Sequence, residues 1–121
     1  MGKYTTADKG KAAEEYVVEV LCRKGFRLLC RNFAVHNVGE IDSAFVKGDT
    51  VYIVEVRARK LIPDFPTPAE SVTRSKKRKI ERTSSYLINR YDLCEKNIYF
   101  LLGQVTLDDC GLVKNVEFIP F

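Results

Sequence analysis

Two runs of β-forming residues, 39–46 and 50–59, flank the doublet Gly48-Asp49, and this arrangement constrains the chain more than any other feature. Glycine at the first central position of a two-residue loop suits a type II′ turn, whose twist matches that of the flanking strands. Such a loop pairs Lys47 with Thr50 and steps outward along both strands. Asp42 is then expected opposite Glu55, and Glu40 opposite Arg57, all on one face of the hairpin. A slip of one residue would separate both pairs.

Like charges directly opposite on a sheet repel, so Asp42 and Glu55 need something positive between them. Two readings fit. Paired hard oxygens suit Mg²⁺ or Mn²⁺. Alternatively, Arg57, one strand step from Glu55, neutralises both carboxylates in a salt-bridge network. The hairpin alone does not choose between them.

The rest of the pattern supplies a scaffold. Thr5-Thr6-Ala7-Asp8 offers capping residues and Gly25 a stop, which predicts a helix over 7–24. Gly10, Ala13, Glu14, Val17, Val18 and Leu21 form its inner stripe. Glu14 stands out there, because a carboxylate facing a core needs a cation, a partner or a raised pKa. It could equally sit at the stripe's edge and pair with an arginine. Residues 26–30 read as a first strand, and 63–68, with three prolines, as a loop. A second helix is expected over 71–90, with Val72, Ile80, Leu87 and Tyr91 facing inward. Strands over 97–106 and 112–118 flank a turn at Asp108-Asp109-Cys110-Gly111. The order α-β-β-β-α-β-β indicates an α/β fold on a mixed sheet. At 121 residues, 45% hydrophobic and 30% charged, the expectation is a single domain with a real core.

No apolar run approaches the ~20 residues of a membrane span, and the first residues lack the apolar stretch of a signal peptide. The expectation is a cytoplasmic protein with no membrane partner. Cys22, Cys30, Cys94 and Cys110 form no CxxC pair, and His36 is the one histidine. That spacing does not suit zinc. The thiols are expected to be reduced and to fill apolar positions.

The basic charge is local. Residues 57–82 hold nine Lys or Arg against three acids, in a chain of net charge +4, which leaves the remainder slightly acidic. Arg74, Lys76, Lys77, Arg78 and Lys79 fall near the start of the second helix, the positive end of its dipole. That placement is unfavourable by a few tenths of a kcal/mol per charge. A bound phosphate would reverse the sign, since helix amides and cations converge on an anion. A lysine-rich solvated face is the other reading.

Taken in order, the elements resemble a known layout. A Glu on the first helix, an Asp on one strand, a Glu-x-basic triplet on the next and a basic helix after it resemble the PD-(D/E)XK, or restriction-endonuclease-like, superfamily. The nearer resemblance is to the YraN-like family of small bacterial proteins. Gly10-Lys11-Ala12-Ala13-Glu14 resembles its GxxGE, with Ala13 in place of the second glycine. Arg31-Asn32-Phe33 is similar to its RN-aromatic step, and Gly39-Glu40-Ile41-Asp42 matches GEID. Val54-Glu55-Val56-Arg57-Ala58-Arg59 resembles VEVKxR, and Val72, Lys76, Arg78, Ile80, Tyr86 and Leu87 fit its second-helix pattern. The resemblance implies a restriction-endonuclease-like core and a divalent-metal site. Asp42, Glu55 and the backbone carbonyl of Val56 would be ligands, with Glu14 completing the shell directly or through water.

Two departures follow. Arg57 occupies the superfamily's lysine position, and an arginine keeps its proton and cannot serve as base. It could still hold the scissile phosphate, leaving activation of water to the ion. The family's late RFD-like segment is Tyr99-Phe100-Leu101 here, without its acid. The first functional expectation is a Mg²⁺- or Mn²⁺-dependent endonuclease acting on nucleic acid, DNA ahead of RNA. Catalytic roles would fall to Glu14, Asp42, Glu55 and Arg57, and backbone contacts to Arg59, Arg74, Lys76, Lys77, Arg78 and Lys79. Similarity of motif order to archaeal Holliday-junction resolvases points to branched DNA and suggests a homodimer. The second is a nuclease-fold binding module that lost efficient chemistry at Arg57. The third is a domain whose basic helix docks an acidic protein.

Overall fold

Helix α1 (Thr6–Arg23), strands β1 (Arg27–Val35), β2 (Gly39–Lys47) and β3 (Thr50–Lys60), helix α2 (Arg74–Arg90), and strands β4 (Asn97–Leu107) and β5 (Val113–Pro120) follow one another in the computed structural model. It describes residues 6–60 and 72–121. The expected cap at Thr5, the loop over 63–68 and the helix start at Ser71 lie outside the described residues.

The strands form one sheet in the order β1-β2-β3-β4-β5, with β3 and β4 parallel and every other neighbour antiparallel. The parallel pair needs a crossover, and α2 supplies it. At the hairpin, Gly48 takes φ 61°, in the left-handed region that suits glycine. The predicted register holds from Lys47↔Thr50 to Ser43↔Val54.

Strand alternation sends successive residues to opposite faces, and each helix covers one of them. Ala13, Val17 and Leu21 of α1 pack with Phe45, Val54, Leu101 and Val105. Ile80, Leu87 and Ile88 of α2 pack with Ala44, Val46, Val51 and Ile53. This is a mixed α/β fold, consistent with a restriction-endonuclease-like core. No described helix is long and apolar enough to cross a membrane.

Several boundaries differ from expectation, each for a local reason. Gly10 is exposed, so the inner stripe of α1 begins at Ala13. Helix α2 starts at Arg74 because Thr73 caps it, its side chain accepting from the Lys76 amide at 3.2 Å. Val72 precedes the helix yet still packs on the core. Tyr91 ends the helix, largely exposed, with its ring tilted against Phe33 and its side chain hydrogen-bonded with Cys30, at the rim of the core rather than inside it. Thr83 and Ser84 take inner positions instead, their hydroxyls donating to Lys79 O and Ile80 O. Strand β1 continues past Cys30 to Val35, with Arg31 and Phe33 in the ladder and Asn32 between their rungs, beyond an irregularity between Leu28 and Cys30. Cys22, Cys94 and Cys110 are exposed; only Cys30 is half-buried, with its thiol pushed up by burial.

Candidate active site

The backbone ladder between β2 and β3 ends at Ser43↔Val54, and two carboxylates take over where it stops. The cause is local. Ile41 and Ala44 belong to the same core cluster although they are three residues apart, so alternation breaks at Asp42-Ser43. Across the ladder on β1, Asn32 sits at φ 52° between the rungs Arg31↔Ser43 and Phe33↔Ile41. Asparagine is among the few residues with a side chain that tolerate that region. Oδ2 of Asp42 now accepts from the Val56 amide at 2.8 Å. The Asp42 amide in turn reaches Oε1 of Glu55 at 3.5 Å, a long contact. Side chains thereby replace main-chain rungs, which holds both carboxylates in place. The expected pairing of Asp42 with Glu55 is not a rung of the ladder, which ends at Ser43↔Val54, although the two residues meet through the Glu55 side chain. That of Glu40 with Arg57 does not appear in the ladder: past the break, Glu40 pairs with Ala34 of β1 and is exposed.

Glu55 is only 4% exposed. Burial, then the Asp42 charge, push its carboxyl up to about 7, against the opposing pull of Lys76 and the Asp42 amide. Lys76, which the sequence suggested as a contact to the nucleic-acid backbone, places its Nζ 3.6 Å from Glu55 Oε2. Glu14, half-buried on α1, is also raised, first by burial and then by Asp42, while Arg31 opposes the shift. Arg31 itself pairs with Glu15 at 3.2 Å. Asp42 is thus the common neighbour of two carboxyls whose charged forms are disfavoured. Strong shifts from burial plus a specific charge are a mark of functional sites.

Hard carboxylate oxygens suit a small divalent cation, and a positive ion would oppose both the burial and the Asp42 charge that raise Glu55. Among the described residues, no group of three or more His, Cys, Asp or Glu is arranged to hold a metal. Mg²⁺ does not require one, because it keeps several waters and binds through one or two carboxylates. The donor set of Asp42 and Glu55 fits such an ion, with half-buried Val56 beside Glu55.

The cations divide by exposure. Arg57 is half-buried on β3 and engaged in an interaction of its own. Arg59 lies exposed near the end of β3, as do Arg74, Arg78 and Lys79 on α2, with Lys77 partly covered. Arg82, missed from sequence, lines a shallow groove with Arg78, Glu81 and Ser85. Gln104 is a buried amide on β4, directly opposite Arg57, within the otherwise largely apolar run 101–107.

Comparison with known proteins agrees with the motif order. The model of a family described as Uncharacterised protein family UPF0102 matches residues 13–96, which span most of α1, the hairpin and α2. A UPF0102 protein of Dictyoglomus turgidum is 37% identical over 111 residues, covering 92% of this chain and 92% of its own length. One from Vibrio campbellii is 35% identical over 111 residues, covering 92% and 89%. One from Acinetobacter baylyi is 42% identical over 82 residues, covering 68% and 57%. With the sheet, the two helices and the GEID hairpin all inside the matched span or continuous with it, the chain belongs to the UPF0102 family, the YraN-like family its motifs resemble.

Proposed function

We propose that the protein is a divalent-metal-dependent phosphodiesterase acting on DNA. The observation that carries this reading is the buried Glu55 beside the half-buried Asp42 at the point where the β2–β3 ladder breaks. Lys76 is the cation beside Glu55, but its partly exposed ammonium does not offset the burial and the Asp42 charge that hold the carboxyl up. Mg²⁺ or Mn²⁺ held there would supply Lewis-acid activation of a phosphoryl oxygen and a more acidic water.

The chain's own residues have separate tasks. Asp42 and Glu55 hold the ion, and the Val56 amide fixes the Asp42 rotamer at 2.8 Å. Glu14 orients the outer side of the shell. Lys76 brings a primary amine beside Glu55 from α2, the group that β3 does not supply at Arg57. Arg57 braces the phosphate. Arg59, Arg74, Lys77, Arg78 and Lys79 track the phosphodiester backbone, giving salt-dependent affinity without base reading. Branched DNA is the first substrate to test. Arg57 favours a second reading, a binding module on the same scaffold with weak or no chemistry, since binding tolerates arginine where water activation does not.

The metal site is tested without any assay of activity. Titrated with Mn²⁺ by calorimetry, the wild type is expected to bind one ion, and Asp42→Asn to lose roughly 100-fold in affinity. Equal affinity in both proteins would remove the hairpin carboxylates from the metal site.

A further inference from the structure

Glu55 is buried, yet both of its oxygens are loosely held. Oε1 lies 3.5 Å from the Asp42 amide, and Oε2 lies 3.6 Å from Lys76 Nζ. Both distances exceed the range of a firm N–H···O bond, whereas Asp42 Oδ2 is tied to the Val56 amide at 2.8 Å. A side chain only 5% exposed would ordinarily find tighter partners. The partner on Oε2 is also a movable one. Lys76 lies in the first turn of α2, its backbone pinned where the amide donates to Thr73 Oγ1 at 3.2 Å. Its side chain is 43% exposed and ends a flexible aliphatic stem. Little else holds the ammonium in place. The first turn of α2 carries no acid, and the positive end of the helix dipole disfavours a cation. Among the described residues, Glu55 is the one carboxylate within ion-pair distance of Lys76.

We propose that Lys76 is an exchangeable counter-ion of this site: it holds Glu55 while the site is free of metal, and donates to a non-bridging oxygen of the substrate phosphodiester once a divalent ion takes the carboxylate. The proposal rests on the phosphodiesterase reading and deepens it, giving Lys76 a place in substrate capture that a fixed salt bridge would not have. Charge balance carries the exchange. Without metal, the ammonium offsets only part of the charge of a carboxylate pair. A dication offsets the whole of it and repels an ammonium that Glu55 no longer retains. One positive charge is then left over, which matches the single negative charge of a phosphodiester. The exposed stem makes the turn while the capped backbone stays in place. Metal and DNA therefore assist each other: the ion releases Lys76 for the phosphate, and by linkage DNA tightens the ion. Lys77 and the exposed cations of α2 differ in this, because they are open to a phosphodiester backbone with or without metal.

The two kinds of cation are told apart by the conditions in which their loss is felt. Lys76→Met keeps most of the stem and removes the charge; Lys76→Gln is the second variant, and Lys77→Met the comparison. Calorimetry on the full chain gives affinities for Mn²⁺ and Ca²⁺. Binding of a labelled DNA duplex is measured in EDTA and in saturating Ca²⁺ at matched ionic strength, with the probe checked for cleavage on a denaturing gel. We expect both Lys76 variants to bind DNA like wild type in EDTA and about fivefold more weakly in Ca²⁺. Both should bind the metal alone about two- to fivefold more tightly, since no ammonium competes for Glu55. Lys77→Met should lose DNA affinity by a similar factor in both media. A Lys76 deficit equal in EDTA and in Ca²⁺ would make Lys76 an ordinary backbone contact and overturn the proposal. So would DNA affinity equal to wild type in both media, or metal affinity that falls in both Lys76 variants. Wild type that binds neither ion would overturn the exchange together with the metal site. Wild type that binds metal and DNA but never cleaves DNA would contradict the phosphodiesterase reading alone, leaving the Ca²⁺-dependent deficit to decide Lys76.

Discussion

Glu55→Gln is expected to do two opposite things: to remove Mn²⁺ binding and to make the metal-free protein more stable above neutral pH. The carboxyl is buried, and burial together with Asp42 raises it from 4.5 to about 7. A raised carboxyl means that the folded state holds a proton which the unfolded state has released. Its contribution is therefore fully present below about 4.5, falls as pH rises, and is lost once pH passes about 7. Glutamine carries no such slope. Its oxygen can still accept from the Asp42 amide, and Lys76, with a side chain 43% exposed, can turn to water. The lost Lys76–Glu55 attraction is small for so exposed a cation. Urea denaturation at pH 5 and pH 8 without metal should show the variant gaining on wild type by roughly 1–3 kcal/mol between the two values. Saturating Mn²⁺ should reverse the order, because only wild type gains binding free energy, about 2.7 kcal/mol at a hundred times the dissociation constant. A variant less stable than wild type at pH 8 would make Glu55 a structural carboxylate.

Gly39→Ala has a comparably large effect expected of it, from packing alone. The GEID glycine has no left-handed φ to explain it. Its reason is α2, which crosses β2 so closely that an added Cβ would stand 2.7 Å from Thr83 Oγ1 and 3.5 Å from Lys79 O. Thr83 is fully buried, and its hydroxyl is tied to Lys79 O at 2.7 Å, so it has nowhere to swing. The helix must move outward, carrying Lys76 away from Glu55. Overpacking of this kind costs typically 1–3 kcal/mol, against about 0.4–1 kcal/mol gained by restricting the unfolded chain. A net loss of about 1–2 kcal/mol in denaturant unfolding follows. Thr83→Ala in the Gly39→Ala background should recover part of it, giving a coupling energy above about 0.5 kcal/mol in the double-mutant cycle. Additive effects, or an unchanged midpoint for Gly39→Ala, would mean that α2 does not pack at Gly39 as described.

These two residues also mark what a single sequence can disclose. Local chemistry made the hairpin legible: Gly48-Asp49 selects the turn, and the turn sets the register as far as Ser43↔Val54, just past which Asp42 and Glu55 meet through a side chain. The same reasoning failed one step further, at Glu40 and Arg57. The ladder ends at Ser43, and the break depends on Asn32 in the neighbouring strand, which hairpin rules do not include. Motif order indicated a Glu–Asp–Glu-x-basic layout but not that Lys76 reaches Glu55. That contact comes from the place where α2 crosses β2, a tertiary distance with no local sequence signal. The place of Gln104 opposite Arg57 was hidden for the same reason. It follows from a parallel register set by a crossover, whereas β-turns encode antiparallel registers directly. The end of β1 was missed because Arg31-Asn32 reads as a polar interruption, although it is part of the strand that shapes the site.

The central claim is that Asp42 and Glu55 form the metal centre of a DNA phosphodiesterase, and one measurement addresses it directly. Labelled four-way junction, single-stranded and duplex DNA are incubated with Mg²⁺ or Mn²⁺, with wild type beside Asp42→Ala from the same preparation. The account predicts metal-dependent cleavage by wild type, strongest on one of these structures, and none by Asp42→Ala. Binding without cleavage by either protein would contradict it and leave the nuclease-fold binding module, with Arg57 as the residue that removed the chemistry.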